Sequence, residues 1–373
     1  MAENEKANNS NILKKVMGSQ QKIALREFNP QQLVLQHLGN LTEREIEIIA
    51  ARYGLKDGQD QTLEYIGKRL SLTRERVRQI EKDGLKKLRK IPFPEGLEKG
   101  IDLIFQIIEE HGSIMREADL LNTIAIGGSE ITRHSILFLL NVSPPFSLLK
   151  ENDETYQSWC LATFDKDIFD RIIAGARETA QEAKNPLASP QLFERLRSRN
   201  ILPPDQPLSD EALESMIAIS KALDKNPFNE WGLVEWLAIH PKDVGDKAFL
   251  VLEHHGTPEH YSKITELINK QKFDKRVAYM ETVHNELIKD DRFVLIGRGI
   301  YALTKWGYEK GTVGEVIEAI LRKVGHPLSK EEIVNEVMKR RMVKKNTILV
   351  GLANKKKFRR NAENKYILND NVG

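Results

Sequence analysis

The sequence predicts a mainly α-helical protein: a helix-turn-helix near the N-terminus, then about four small units, each of three helices and a β-hairpin. Three observations predict it. Apolar residues recur at helical spacing through residues 41–90, with a capping residue ahead of each run. Past Pro92 and Pro94 the pattern helix, Gly-x-Pro corner, helix, helix and hairpin recurs. Each copy closes on an aromatic, a polar turn and a second aromatic.

These signals divide the 373 residues into an N-terminal disordered or helical segment (1–38), the helix-turn-helix (39–92), and four units at 100–164, 165–237, 245–307 and 310–370. The single cysteine, Cys160, excludes a disulfide or a multi-thiolate metal site within the chain and fits a reducing compartment. The N-terminus reads MAENEKANNS, which is too polar for a secretory signal, and no apolar run has membrane-spanning length. A cytoplasmic protein is expected.

The net charge is only +3, but it is unevenly spread. Residues 41–90 and 310–373 are basic, whereas 165–250 carries fifteen acidic against eleven basic residues. Such a chain can hold nucleic acid at its ends and leave its middle for protein.

Residues 1–10 are polar and predicted to be disordered. From Ile12 to Leu38, apolar positions broken by Pro30 predict one or two helices leading into the next segment. Thr42 with Glu45 then forms a capping box ahead of Ile46, Ile49 and Ala50, which marks a helix. A Gly/Asp turn follows. Thr62 opens a short helix with Leu63, Ile66 and Leu70 facing inward. Thr73 caps a third helix whose Val77, Ile80, Leu85 and Leu88 make one apolar stripe.

The opposite face of that third helix carries the chemistry. Arg74 and Arg78 lie one turn apart, as do Glu75 and Gln79, so the four project from the first two turns. Arginine forks onto guanine O6 and N7, glutamine onto adenine N6 and N7, and glutamate accepts from cytosine N4. Arg76, Lys82, Lys86, Lys87, Arg89 and Lys90 supply charge for flanking phosphates. A solvated mixed-charge face is the plain alternative. The short helix and tight turn ahead of it favour DNA.

The stretch resembles region 4 of the bacterial sigma-70 family, the module that reads the −35 promoter element. The resemblance rests on RYGL (52–55), TLEYIGKRL (62–70) and above all TRERVRQIE (73–81). It implies that Arg74, Glu75, Arg78 and Gln79 read bases, and that Arg52, Thr62 and Leu63 meet the DNA backbone. It also implies RNA polymerase core, through its β-flap, as a partner alongside double-stranded promoter DNA. One departure is the run Lys82, Asp83, Gly84. Glycine within a helix costs about 1 kcal/mol relative to alanine, so a looser second half is expected. A complete sigma factor also carries an aromatic-rich region 2, for which the forty residues before Leu41 are too few, so a partial sigma-like protein is expected.

The clearest repeat pair is 249–306 and 319–370. Its hairpins are expected at RFVLI–GRG–IYALT and KFRR…KYIL, and Ser329 with Glu332 forms a capping box. Weaker copies are expected at 101–164 and 168–237, the latter with a helix over 208–223. The aromatic pairs Phe146 with Trp159, Phe228 with Trp231 or Trp236, Phe293 with Tyr301, and Phe358 with Tyr366 are expected to pin each hairpin onto its helices. Three helices and a hairpin are the winged-helix plan. The copies at 245–306 and 310–370 resemble HARE-type helix-turn-helix domains.

From Lys339 to Arg360 there are ten basic and no acidic residues. Lys344, Lys345, Lys355, Lys356, Lys357, Arg359 and Arg360 therefore form a candidate second, sequence-independent DNA contact. A solubilising face or a dock for an acidic protein is the alternative.

Enzyme chemistry has no foothold in the sequence, so no enzyme, cofactor or metal is expected. There is no phosphate-cradling glycine loop, H-E-x-x-H or nucleophile motif. His254, His255 and His260 cluster without convincing partner ligands, and Cys160 reads as a structural thiol. A DNA-binding protein of transcription initiation is the expected function. A promoter-bound regulator without sigma activity and an interaction scaffold are the alternatives.

Overall fold

The computed structural model describes residues 23–25, 27–125, 127–199, 201–202, 208–308 and 310–369. The disorder expected over 1–10, and the helical positions Ile12, Leu13 and Val16, lie outside the described residues. The chain is mainly helical and divides into two compact units, Met1–Asp224 and Lys225–Gly373. No helix among the described residues is long and apolar enough to cross a membrane.

The first unit opens with α1 (Pro30–Leu38), capped by the Asn29 side chain, which accepts from the Gln32 amide. Next come α2 (Glu43–Arg52), α3 (Leu63–Leu70) and α4 (Arg74–Leu88). Their N-caps are the threonines the sequence marks, Thr42, Thr62 and Thr73, and Thr42 with Glu45 forms the full capping box. Two cores hold this segment. Ile48, Ile66 and Val77 form a small one that fixes α2, α3 and α4 together. Ile49, Leu55 and Leu88 belong to a larger one that continues through α5 (Glu95–Glu110) and beyond. Because Ile48 and Ile49 are adjacent, α2 is buried on two sides, and the helix-turn-helix shares a core with the helices C-terminal to it.

That larger core takes in α6 (Glu117–Ile124), α7 (Glu130–Val142) and a three-stranded antiparallel sheet. Its strands are β1 (Ile114–Arg116), β2 (Phe146–Leu149) and β3 (Ser158–Leu161), with β3 central. The unit continues with α8 (Lys166–Ala183), β4 (Leu187–Ala188), α9 (Ser189–Ser198) and α10 (Asp210–Ile217). Here the structure corrects the expected helix over 208–223. It stops at Ile217, and Leu223–Lys225 is strand β5. The cause is competition for backbone groups: the Tyr156 amide donates to the Ile219 carbonyl and the Lys221 amide to the Glu154 carbonyl. With Ile219 fully buried, this segment pairs with a loop instead of winding on.

The second unit contains β6 (Glu230–Leu233), then α11 (Val244–His255), β7 (Glu259–His260), α12 (Tyr261–Gln271), α13 (Met280–Lys289), β8 (Phe293–Gly297) and β9 (Ile300–Leu303). Its last part is α14 (Val313–Val324), α15 (Lys330–Arg340), α16 (Lys345–Leu352) and the hairpin β10 (Phe358–Arg360) with β11 (Tyr366–Leu368). Each helical triplet has its own core, one around Leu252, Ile264 and Val283, the other around Ile317, Ile333 and Ile348.

The hairpins share one register. Phe146, Phe293 and Phe358 each stand opposite a leucine (Leu161, Leu303 and Leu368). The second aromatic, Trp159, Tyr301 or Tyr366, lies two residues before that leucine, and so on the same face of the sheet. It is a diagonal neighbour of the first across the hairpin. All six aromatics are buried. The two-stranded plan also gains an extra pairing, because each second aromatic pairs with a residue just after the first helix of its triplet. These partners are Met115, Glu259 and Leu328, the last as a lone bridge. Phe228 differs, since it stacks on His254 with centroids 3.6 Å apart.

Candidate nucleic-acid interface

The ends of α3 and the turn into α4 are set by a few residues. Thr62 caps α3 by accepting from the Tyr65 amide, and Ser71 ends the helix in the left-handed conformation (φ 56°, ψ 43°). The Leu72 amide then donates to the Gly67 carbonyl at 2.8 Å. Gly67 is buried so tightly that a Cβ there would stand 2.7 Å from the Leu72 carbonyl oxygen. The backbone can fold back this closely only because position 67 has no side chain. Thr73 comes at once and caps α4 through the Arg76 amide.

On α4 the four predicted base readers, Arg74, Glu75, Arg78 and Gln79, are all exposed, while Val77 between them is fully buried. The helix therefore offers its first two turns to solvent. Arg78 grips Glu75 at two points, and Gln79 accepts from Arg76 at 3.3 Å. The guanidinium of Arg78 holds the Glu75 carboxyl below its ordinary pKa, and Glu75 in turn raises that of Arg78. Arg74 makes no ion pair among the described residues.

Among the predicted phosphate contacts, Thr62, Arg76, Lys82 and Lys86 are exposed, and Leu63 is half-buried against the small core. Arg52 is drawn inward. It donates to the Gln61 carbonyl at 3.1 Å and lies 3.8 Å from Glu81, tying the loop before α3 to α4. Beside it, burial and then Glu81 push the Tyr53 hydroxyl pKa up to about 12. Arg89 is exposed but reaches the Asn141 carbonyl on α7 at 2.9 Å.

Gly84 corrects the expectation of a loosened helix. α4 runs unbroken to Leu88, and a Cβ on Gly84 would approach Ile49 Cδ1 to 2.7 Å. The glycine lets α2 and α4 close together. Sequence reasoning missed Arg44, which joins Arg76, Lys86, Lys87 and Lys90 along a shallow groove of about 430 Å³ between the start of α2 and the outer half of α4. Its one signal was its place in the first turn of a capped helix.

In the second unit Lys344, Lys345, Lys355, Lys356, Arg359 and Arg360 are exposed. Lys357 is diverted to Glu318 at 3.1 Å, and Arg360 is held by Asn364 and the Tyr366 hydroxyl. The three histidines of the other cluster have separate tasks. His254 contacts Glu230, His255 contacts Glu259, and His260 caps α12. Among the described residues no three His, Cys, Asp or Glu side chains group as metal ligands. Cys160 is half-buried 3.4 Å from the Ser147 carbonyl, and burial raises its thiol pKa.

A helix, a tight turn fixed by Gly67 and Ser71, and a second helix with an exposed Arg/Glu/Arg/Gln quartet make one coherent surface. Residues 37–90 match the family Sigma-70, region 4. Sigma factors are similar over this same segment. RNA polymerase sigma factor SigA4 of Synechococcus elongatus is 52% identical over 52 residues, covering 14% of this chain and 17% of that protein. RNA polymerase principal sigma factor HrdD of Streptomyces griseus is 44% identical over 61 residues (16% and 18%), and RNA polymerase sigma factor SigA of Clostridium acetobutylicum is 50% identical over 56 (15% and 15%). The chain thus spans under a fifth of the length of these relatives. The sigma-70 region 4 segment is set here among helical triplets that the matches do not reach.

Proposed function

We propose that this protein binds promoter DNA through α4 and acts in transcription initiation, in the manner of a sigma factor. Arg74, Glu75, Arg78 and Gln79 enter the major groove and read a −35-type element. Thr62, Arg76, Lys82 and Lys86 hold the flanking phosphates, with Arg52, Leu63 and Arg89 steering the same backbone path. The observation that carries this reading is the exposed quartet on the first two turns of α4, next to a turn that fixes the helix's direction. RNA polymerase core is the proposed protein partner, and the cytoplasm is where both are met. Residues 100–164, 165–237, 245–307 and 310–370 are read as four winged-helix units, the last two HARE-type.

One observation favours a second reading, a promoter-bound regulator without sigma activity. The family match ends at residue 90, and the core of that segment continues into α5 and α7, which lie beyond the match. The two readings separate on purified components. The full chain is mixed with core RNA polymerase, and recovery and transcription from a −35-containing template are measured. Co-recovery with transcription supports sigma activity, and co-recovery alone supports the regulator. Equal affinity for −35-containing and scrambled duplexes overturns both.

A further inference from the structure

In the second unit some cations are neutralised by carboxylates, while others, such as Lys270, Lys272, Lys275 and Arg276, are exposed without an ion pair among the described residues. Lys247 sits on Asp274, Lys263 on Glu266, Arg292 on Asp246 and Asp290, Lys310 on Asp291, and Arg322 on Glu318. Lys344, Lys345, Lys355, Lys356 and Arg359 are exposed and make no ion pair among the described residues, and no acidic residue occurs from 339 to 360. They stand at the start of α16, in the connection after it, and on β10.

A neighbouring element adds to this face. A Cβ on Gly297 would lie 2.8 Å from the Met342 carbonyl oxygen, so the tip of the β8–β9 hairpin lies against the backbone just before Lys344. Arg298, at that tip, is also exposed and without an ion pair among the described residues. The lack of a side chain at Gly297 permits this approach.

We propose that the tip of the β8–β9 hairpin and the end of the last helical triplet together form a second duplex-binding surface, one that holds phosphates and reads no bases. Unpaired cations spread over three segments suit a lattice of phosphates, where each contact releases a counterion. Four of the five in the last triplet are lysines, compact charges on flexible stems that offer no planar fork to a carboxylate. The surface is independent of the base-reading assignment on α4. In a chain that also binds DNA there, a second grip raises effective concentration without adding sequence preference.

The test uses the full chain and a labelled duplex lacking any −35-type sequence, with affinity measured by fluorescence anisotropy across a salt series. For Lys344→Ala, Lys345→Ala, Lys355→Ala and Lys356→Ala combined, the slope of log affinity against log salt becomes shallower by about 0.9 for each phosphate no longer neutralised, roughly 3 to 4 in all. The preference for a −35-containing duplex over a random one stays unchanged. Lys355→Glu with Lys356→Glu, two exposed positions outside the cores, gives a smaller second variant whose melting curve verifies folding. An unchanged slope in both variants overturns the proposal. So does displacement of the duplex by polyglutamate as effectively as by unlabelled duplex of equal charge, which would mark a dock for an acidic protein. Failure of the α4 reading looks different: discrimination is lost while this charge-dependent slope remains.

Discussion

Arg78 closes onto Glu75 one turn behind it, Nε to Oε2 at 2.9 Å and Nη2 to Oε1 at 2.6 Å. Both side chains are more than half exposed, so the pair adds little stability. Its effect is on direction, because each of these two proposed base readers restrains the other. Arg78→Ala is expected to weaken binding to the preferred duplex by about 1–3 kcal/mol and to relax specificity at one base pair. Competition binding against single-base variants checks this. A uniform loss across all sequences would remove Arg78 from the readers.

Glu75→Ala separates charge from recognition. If α4 faces DNA as proposed, removing a carboxylate from it should strengthen binding to random duplex, while Arg78, no longer restrained, discriminates less well. The expected result is a higher random-sequence affinity with a smaller ratio of specific to random binding. If the ratio is unchanged, Glu75 neither reads a base nor positions Arg78.

The turn between α3 and α4 depends on Gly67. An added methyl at 2.7 Å from the Leu72 carbonyl oxygen meets backbone, which cannot swing aside as a side chain would. Gly67→Ala is therefore expected to destabilise the first unit by about 1–3 kcal/mol despite alanine's better helix propensity. Chemical denaturation reads the loss. A neutral or stabilising result would mean the turn has slack.

The quartet on α4 and the caps at Thr42, Thr62 and Thr73 were legible because each is a local pattern of side-chain type and spacing. Gly84 was not. Its role comes from Ile49, thirty-five residues earlier, and a helical glycine without that neighbour looks like a weakness. Arg52, Arg89 and Lys357 show the same limit: each reads as a free cation until the fold supplies Gln61, Asn141 or Glu318. The end of α10 was hidden because the groups that capture residues 219–221 lie in the loop at 154–156. Periodicity sees what a segment prefers, and it is blind to a distant competitor for its backbone.

Acid should weaken the joint between α2 and α4 through Glu45. This buried carboxylate accepts from Lys87 Nζ at 2.5 Å and closes the capping box by accepting from the Thr42 amide at 3.0 Å. Lys87 first, then Thr42, holds its pKa below the ordinary 4.5, against the opposing effect of burial. A depressed acid stabilises the fold above 4.5 and loses that contribution as pH falls through its folded value. Glu45→Gln should lose about 1 kcal/mol at neutral pH and show a shallower acid limb in thermal melts than the parent. Superimposable acid limbs would exclude Glu45 as a source of the dependence.

His37 should act at higher pH. Its ring is fully buried, 4.8 Å from the Phe93 ring, and neither nitrogen has a hydrogen-bond partner among the described residues. Burial lowers its pKa from 6.5, and the nearby Leu88 backbone offsets this only in part. The unfolded chain therefore takes up the proton first. Stability is complete above pH 6.5 and falls as pH drops below it, by up to about 1.4 kcal/mol per unit until the folded value is reached. This window opens at pH 6.5, above the 4.5 at which that of Glu45 opens. His37→Leu, close in volume and unable to titrate, should flatten the denaturation midpoint just below pH 6.5. A parent protein whose midpoint is already flat over that range, or a variant that keeps the slope, would show that His37 takes its proton without opening the core shared by α1 and α5.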